Sequence, residues 1–234
     1  MLIVLALVLG AVIGSFLNVV IVRLPKQESL VFPGSHCPAC QSSIRWFDNI
    51  PMASFLWLRG RCRECQAPIS WRYPAVETAA AGLFAVAAWR FGPRPEALLP
   101  AWLFVAVLIA VTAIDLEHQL IPDRITLPGI ALGFLASLVN PAGSWLASLL
   151  GIALGGGFIF VVIVVARWLL GRDAMGGGDM KLCAMIGAFL GWKLTVLTMM
   201  LAAISGGLIG GTLLILGVRE RRDPIPFGPF LATG

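Results

Sequence analysis

Residues 2–22 read LIVLALVLGAVIGSFLNVVIV, 21 consecutive positions without a charged side chain. A helix of that length rises about 30 Å, the thickness of a bilayer's hydrocarbon core. Further apolar stretches run from Pro74 to Phe91, Leu98 to Ile114, Ile125 to Val139, Trp145 to Ala166 and Leu194 to Val218, with a shorter one from Leu182 to Gly191. With 59% hydrophobic residues, 12% charged and a mean hydropathy of +0.91 over 234 residues, no water-soluble core could absorb this surface. The expected fold is an all-α polytopic membrane bundle of about seven helices, with the lipid bilayer as its surroundings. The first stretch lacks a basic n-region and a small-residue cleavage site and exceeds a signal-peptide core, so it reads as a retained anchor.

Lysine and arginine set the expected orientation. With the amino terminus outside, Arg23, Lys26, Arg45, Arg59, Arg61, Arg63, Arg72, Arg124, Arg167, Arg172, Lys181, Arg219, Arg221 and Arg222 fall on the inner side. Only Arg90, Arg94 and Lys193 fall outside, a strong positive-inside bias. The net charge of +5 is mostly this topological signal, and nothing in it suggests nucleic acid.

Between residues 23 and 73 the composition changes to charges, prolines and four of the five cysteines. The expected organisation is a first transmembrane helix over 1–22, a small cytoplasmic cysteine domain over 23–73 and a transmembrane bundle over 74–234. Cys37-x-x-Cys40 and Cys62-x-x-Cys65 lie 21 residues apart, at the edge of zinc-ribbon spacing, and each knuckle brings two thiolates to one tetrahedral ion. Two disulfides are the alternative. A reducing cytoplasm disfavours them, and so small a segment gains from a metal cross-link what its core cannot supply. Four cysteines leave no open ligand position for catalytic zinc. Cys183, inside an apolar segment, reads as buried packing.

Several small residues recur at four-residue spacing: Gly10 and Gly14, Gly129 and Gly133, Gly151 and Gly155, Gly206 and Gly210, Gly207 and Gly211. They predict close helix approach. Asn18 predicts a hydrogen bond to a neighbouring helix. Glu77 is expected in the first turn of a helix entered at Arg72-Tyr73-Pro74, where the dipole explains it and its place near the inner face leaves a site role open.

The chemistry gathers at Gly176-Gly177-Gly178-Asp179-Met180-Lys181-Leu182 and at Ile114-Asp115-Leu116-Glu117-His118. Asp115 and Asp179 stand at the inner ends of apolar stretches and can meet at one depth, where ionised carboxylates are costly. Two close carboxyl groups cannot easily both ionise, so one holds a proton while the other takes one from water, the arrangement aspartic proteolysis requires. Other protease chemistries fit worse: the histidines are His36 and His118, with no HExxH and no GxSxG. Asp115-x-x-His118 alone is a weak metal signal. Asp123, beside Arg124 after Pro122, reads as a charge-paired helix start.

Six stretches carry a resemblance. They are GSFLNVVIVRLP at 14–25, the paired cysteine knuckles, RYPAVE at 72–77, AIDLEHQLIPD at 113–123, GGGDMKL at 176–182 and PFGPFLATG at 226–234. In this order they resemble the bacterial type IV prepilin peptidases, or leader peptidase/N-methyltransferases. The resemblance implies a GxGD-type membrane aspartic protease with Asp115 and Asp179 as the catalytic pair and Gly176 and Gly178 in the loop motif. It implies prepilin and pseudopilin substrates of type IV pilus and type II secretion systems, cut after a glycine. It further implies a site on the cytoplasmic side of a bacterial inner membrane, and methylation of the new amino terminus by S-adenosylmethionine. No Rossmann-like fingerprint marks a cofactor pocket; Gly60, Arg61 and the cysteines are where the resemblance would look. Members of this family continue past such a final stretch into another membrane helix, whereas this sequence stops at Gly234.

Two other classes use some of these features. A transporter could relay protons or bind a cation at the same two aspartates, and predicts inverted repeats that are not visible in the sequence. A noncatalytic assembly scaffold could dock through the zinc domain but leaves both aspartate motifs unexplained.

Overall fold

The computed structural model describes residues 1–140, 144–171, 176–217 and 226–234. Arg172, Arg219, Arg221 and Arg222, counted above toward orientation, and Val218, the expected end of a span, lie outside the described residues. The helices are α1 (Leu2–Arg23), α2 (Ala53–Trp57), α3 (Arg72–Phe91), α4 (Pro95–His118), α5 (Asp123–Val139), α6 (Trp145–Leu170), α7 (Gly177–Ile215) and α8 (Gly228–Thr233). A 3-10 turn spans Trp46–Asn49, and among the described residues the remaining regular pairing is two isolated β-bridges. The fold is all-helical, and the protein is a membrane protein. Among the described residues α1, α4, α6 and α7 are long and apolar enough to cross a bilayer. α5 falls short with 17 residues, and α3 is diluted by alanine, Glu77 and Arg90.

α7 covers two of the expected segments. It bends at Gly191, whose φ of 73° and ψ of 169° are open to glycine and strained for other residues, so one run of 39 residues holds two helical spans.

The chain divides into two compact units, Met1–Ala110 and Val111–Gly234, with the division inside α4. In unit 1, α1 packs on α3 through its small residues. A Cβ on Gly10 would stand 2.6 Å from the Ala80 carbonyl oxygen, and one on Gly14 would stand 2.7 Å from Glu77 Cα. Asn18 donates to the carbonyl oxygens of Gly14 (3.3 Å) and of Tyr73 (3.1 Å) at the start of α3. Below this seam Ala6, Phe84, Ala87, Ala88 and Leu98 form a buried cluster. Trp102 stacks on Phe84 at 5.3 Å and donates its indole N–H to the Phe84 carbonyl at 3.0 Å.

In unit 2, α7 is the central element, packed by α5, α6 and α8. Gly151 of α6 meets Gly187 of α7 backbone to backbone, and Gly155 approaches Cys183. Gly129 and Gly133 of α5 lie against Met185, Ala188 and Phe189. Ser148 closes this seam with a buried hydrogen bond of 2.7 Å to the Ala188 carbonyl. The large side chains of α6, among them Leu150, Leu154, Phe158 and Val161, point outward. Small inside and large outside is the arrangement lipid favours: hydrocarbon solvates leucine as well as another helix does, so close backbone approach carries the association. Gly207 and Gly211, expected in the same role, have no neighbour within 4 Å of where a Cβ would stand.

Candidate active site and metal site

Unit 2 carries both candidate acids. α4 continues past Asp115 to His118, about one turn beyond the expected end, and stops where Gln119 takes a φ of 52°. Asp115 therefore sits inside the last turn, only 5% exposed, and its Oδ2 accepts the buried N–H of Gly228 at 2.9 Å. Asp179 is the third residue of α7, and its Oδ2 accepts the N–H of Gly176 at 3.2 Å. A helix N-terminus alone would explain an acid at that position. What adds to it is the Asp115 carboxylate, which lies within the range of electrostatic repulsion of Asp179. Two carboxyls that repel each other, one of them almost sealed from solvent, cannot easily both ionise, the property that acid–base chemistry on water requires.

The loop glycines have separate tasks. Gly176 supplies the amide that binds Asp179. Gly178 lies so close to Ile121 that a Cβ would stand 2.8 Å from Ile121 Cβ, which fixes the start of α7 against the chain leaving α4. Asp123 begins α5, as the sequence suggested, but its partner is Lys181 at 2.6 Å rather than Arg124, because α5 packs against α7. His118 is exposed.

Unit 1 carries the cysteines. The Sγ atoms of Cys37, Cys40, Cys62 and Cys65 all lie within 4.8 Å of one another, and Cys37 and Cys65 are 3.8 Å apart. A tetrahedral ion with Zn–S bonds of about 2.3 Å needs sulfurs about 3.8 Å apart, so this donor set fits zinc. All five cysteines are free thiols. Around the cluster, Cys40 is lowered to about 6 by the hydroxyl and amide of Ser42. Cys62 is lowered by the amides of Cys65 and Glu64.

Glu77 lies in the second turn of α3, not the first. It does not cap its own helix; its carboxylate accepts the Met52 N–H at 2.7 Å and the Ser15 hydroxyl, tying α1, α2 and α3 together.

Two features escaped the sequence reading. The knuckles form an internal repeat, CPACQSSI over 37–44 and CRECQAPI over 62–69. In each, the first cysteine's amide donates to the residue five positions on, Ser42 at 2.9 Å and Ala67 at 2.8 Å. Gln41 and Gln66 both take a φ of 59°, and Ile44 and Ile69 close each turn onto the carbonyls of Ser35 and Gly60. The shared Cys-x-x-Cys-Gln-x-x-Ile pattern was the available signal. Gly228 had no such signal, since only folding brings its amide to Asp115.

A family model described as the bacterial peptidase A24 N-terminal domain matches residues 8–91, and one described as the type IV leader peptidase family matches 102–211. Relatives named prepilin leader peptidase/N-methyltransferase match nearly the whole chain. The protein from Burkholderia pseudomallei (strain 1026b) is 37% identical over 254 residues, covering 98% of this chain and 82% of its own. That from Pseudomonas aeruginosa is 38% identical over 252 residues, with 97% and 86% covered. That from Bacillus subtilis (strain 168) is 37% identical over 227 residues, with 97% and 89% covered. No solved structure matches the chain. With identities of this size over nearly its full length, the chain belongs to the type IV leader peptidase family.

Proposed function

We propose that this protein is a membrane aspartic endopeptidase that removes the leader from type IV prepilins and pseudopilins and N-methylates the new amino terminus. The observation that carries the peptidase reading is that Asp115 and Asp179 lie in one unit, within electrostatic range, each with its carboxylate held by a glycine amide. One carboxylate takes a proton from water, which attacks the scissile carbonyl; the other, protonated, polarises that carbonyl, and the shared proton goes to the leaving amine. The backbone amides of Gly228 and Gly176 hold the two carboxylates in place.

Residues 1–22 serve as the first membrane helix, 23–73 as a cytoplasmic domain stabilised by zinc on Cys37, Cys40, Cys62 and Cys65, and 74–234 as the peptidase bundle. The positive-inside bias supports a periplasmic amino terminus in a bacterial inner membrane, with the active site on the cytoplasmic side. There a basic leader meets the polar side while the apolar helix of the substrate stays in the bilayer. S-adenosylmethionine supplies an electrophilic methyl group to the second activity.

The test is cleavage of a model prepilin by purified, detergent-solubilised protein. Asp115→Asn and Asp179→Asn are expected to lower cleavage by about 10²–10⁴-fold. Asp123→Asn, which loses only an exposed pair with Lys181, is expected to cleave normally. Cleavage by all three variants at the wild-type rate would remove the paired-aspartate mechanism.

A further inference from the structure

Between the two cysteine knuckles the chain reads Ile50-Pro51-Met52-Ala53-Ser54-Phe55-Leu56-Trp57-Leu58, nine residues without a charge, with Arg59 and Arg61 just after them. A domain surrounded by water turns the large side chains of such a run inward. Here α2 leaves Leu56 75% and Trp57 83% exposed. Trp71, whose ring packs on Phe55 of α2 at 4.8 Å, is 76% exposed. An open apolar surface of this kind marks an interaction site.

Hydrogen bonds fix its depth. The Met52 amide at the start of α2 donates to the Glu77 carboxylate at 2.7 Å, and that carboxylate also accepts the Ser15 hydroxyl. Glu77 is level with Gly14 of α1, where a Cβ would stand 2.7 Å from Glu77 Cα. Ser15 lies seven residues before Val22, the last of the uncharged run, which is about 10 Å along the helix. α2 therefore starts beside the membrane helix α1 and not beyond its end. Interfacial helices bury their apolar faces to a similar depth, about 5–10 Å into the boundary between headgroups and acyl chains.

Two further properties fit lipid. The Met52 amide is taken by Glu77, the Ala53 amide by the Pro51 carbonyl, and the amides of Ser54, Leu56 and Leu58 by carbonyls four residues back. The Ser54 hydroxyl, the polar side chain of this run, donates to the Ile50 carbonyl at 2.7 Å. Hydrocarbon offers a backbone no partners, so a segment that enters it has to satisfy its polar groups internally. Arg59 and Arg61 are exposed and pair with no carboxylate among the described residues. Lipid phosphates complement them, whereas a basic prepilin leader or a second copy of this chain would bring like charge.

We propose that residues 50–58 form a wedge inserted into the leaflet that surrounds the carboxyl end of α1, with Leu56, Trp57 and Trp71 against lipid and Arg59 and Arg61 on the phosphates. The wedge seats the cysteine module on the membrane surface, with tryptophan at the depth where its amphipathic ring is favoured. This depends on α1 spanning the bilayer and on neither enzymatic activity.

The experiment uses the full-length, zinc-loaded protein labelled with 5-fluorotryptophan in nanodiscs of phosphatidylglycerol and phosphatidylcholine. The fluorine resonances of Trp57 and Trp71 are assigned with Trp57→Phe and Trp71→Phe. Their broadening is then measured with a 5-doxyl phospholipid and with a water-soluble gadolinium chelate. Both resonances are expected to broaden roughly threefold or more with the doxyl lipid relative to the chelate. The reverse order puts the surface in water and overturns the proposal. Protection from both agents, which a covering protein surface would give, overturns it as well. Arg59→Glu combined with Arg61→Glu is expected to lower the doxyl broadening of Trp57 by roughly twofold, with zinc content retained. Unchanged broadening in that variant overturns the assignment of the two arginines to lipid phosphate.

Discussion

Asp179 stands on α7, which glycine seams hold against α5 and α6, and Asp115 is tied to α8 by the Gly228 amide, whereas Cys37, Cys40, Cys62 and Cys65 converge through two short turns of nearly identical geometry. The first arrangement stores its precision in glycine seams between long helices, where a single added methyl group meets backbone. The second stores it in local amide hydrogen bonds and in the ion its thiolates fit. Long-range order built by packing fails when volume is added; short-range order built by ligation fails when the ligand is removed.

The largest effect is expected in the packing seam. A Cβ at Gly187 would overlap the Gly151 backbone and stand 2.8 Å from the Ile152 nitrogen. Gly187→Leu should therefore separate α6 from α7, with folding yield and prepilin cleavage lost together, read by size-exclusion chromatography and the cleavage assay. A folded, fully active variant would show that the seam does not hold the acids.

Removal of the metal should produce a large but confined effect. Stripping zinc with a chelator should release one ion per chain and loosen the backbone at the exposed Arg59, Arg61 and Arg63 so that trypsin cuts there, while 111–234 keeps its protection. Simultaneous loss of protection in both units would erase the contrast between them.

A smaller effect tests the amide on Asp115. Gly228→Val places a side chain where a Cβ would stand 2.7 Å from Asp115 Oδ2. Loss of one amide bond to a carboxylate corresponds to about 1.5–3 kcal/mol, or roughly 10–100-fold in kcat with KM little changed. An equal rise in KM would instead place Gly228 in substrate binding.

The smallest effect concerns the link between the Trp46–Asn49 turn and the second knuckle. Arg63 holds Asp48 in a two-point contact at 2.8 and 2.6 Å, and its guanidinium keeps the Asp48 carboxyl below the usual range. A depressed carboxylate contributes stability above its unfolded value of about 3.9 and loses it as pH falls through the lower folded value, so at pH 7 the contribution is complete. Asp48→Asn should speed zinc release to a chelator at pH 7 by less than about fivefold, because the pair is partly exposed.

Much of this was legible in the sequence because the bilayer imposes few solutions. An uncharged run of 21 residues such as 2–22 has to be a helix, since lipid offers its backbone no other partner. The cysteine spacing announced a four-thiol cluster, because each knuckle is a local turn. The aspartates were legible as costly acids at helix ends. The segment 50–58, in contrast, read only as part of the cysteine domain, and Gly228 as part of a terminal motif. Asp123 was paired with its sequence neighbour although its actual partner is Lys181, 58 positions away.

By itself, the sequence determined the membrane class, the helical segments, the cysteine set and the two candidate acids. These depend on hydropathy, spacing and desolvation, which act residue by residue. Only the tertiary structure decided which amide supports Asp115, that Glu77 binds Met52 and Ser15 rather than its own helix end, and that α2 thereby starts beside α1. Those are pairings between distant segments, set by which glycine faces let the helices approach, and no local pattern encodes them.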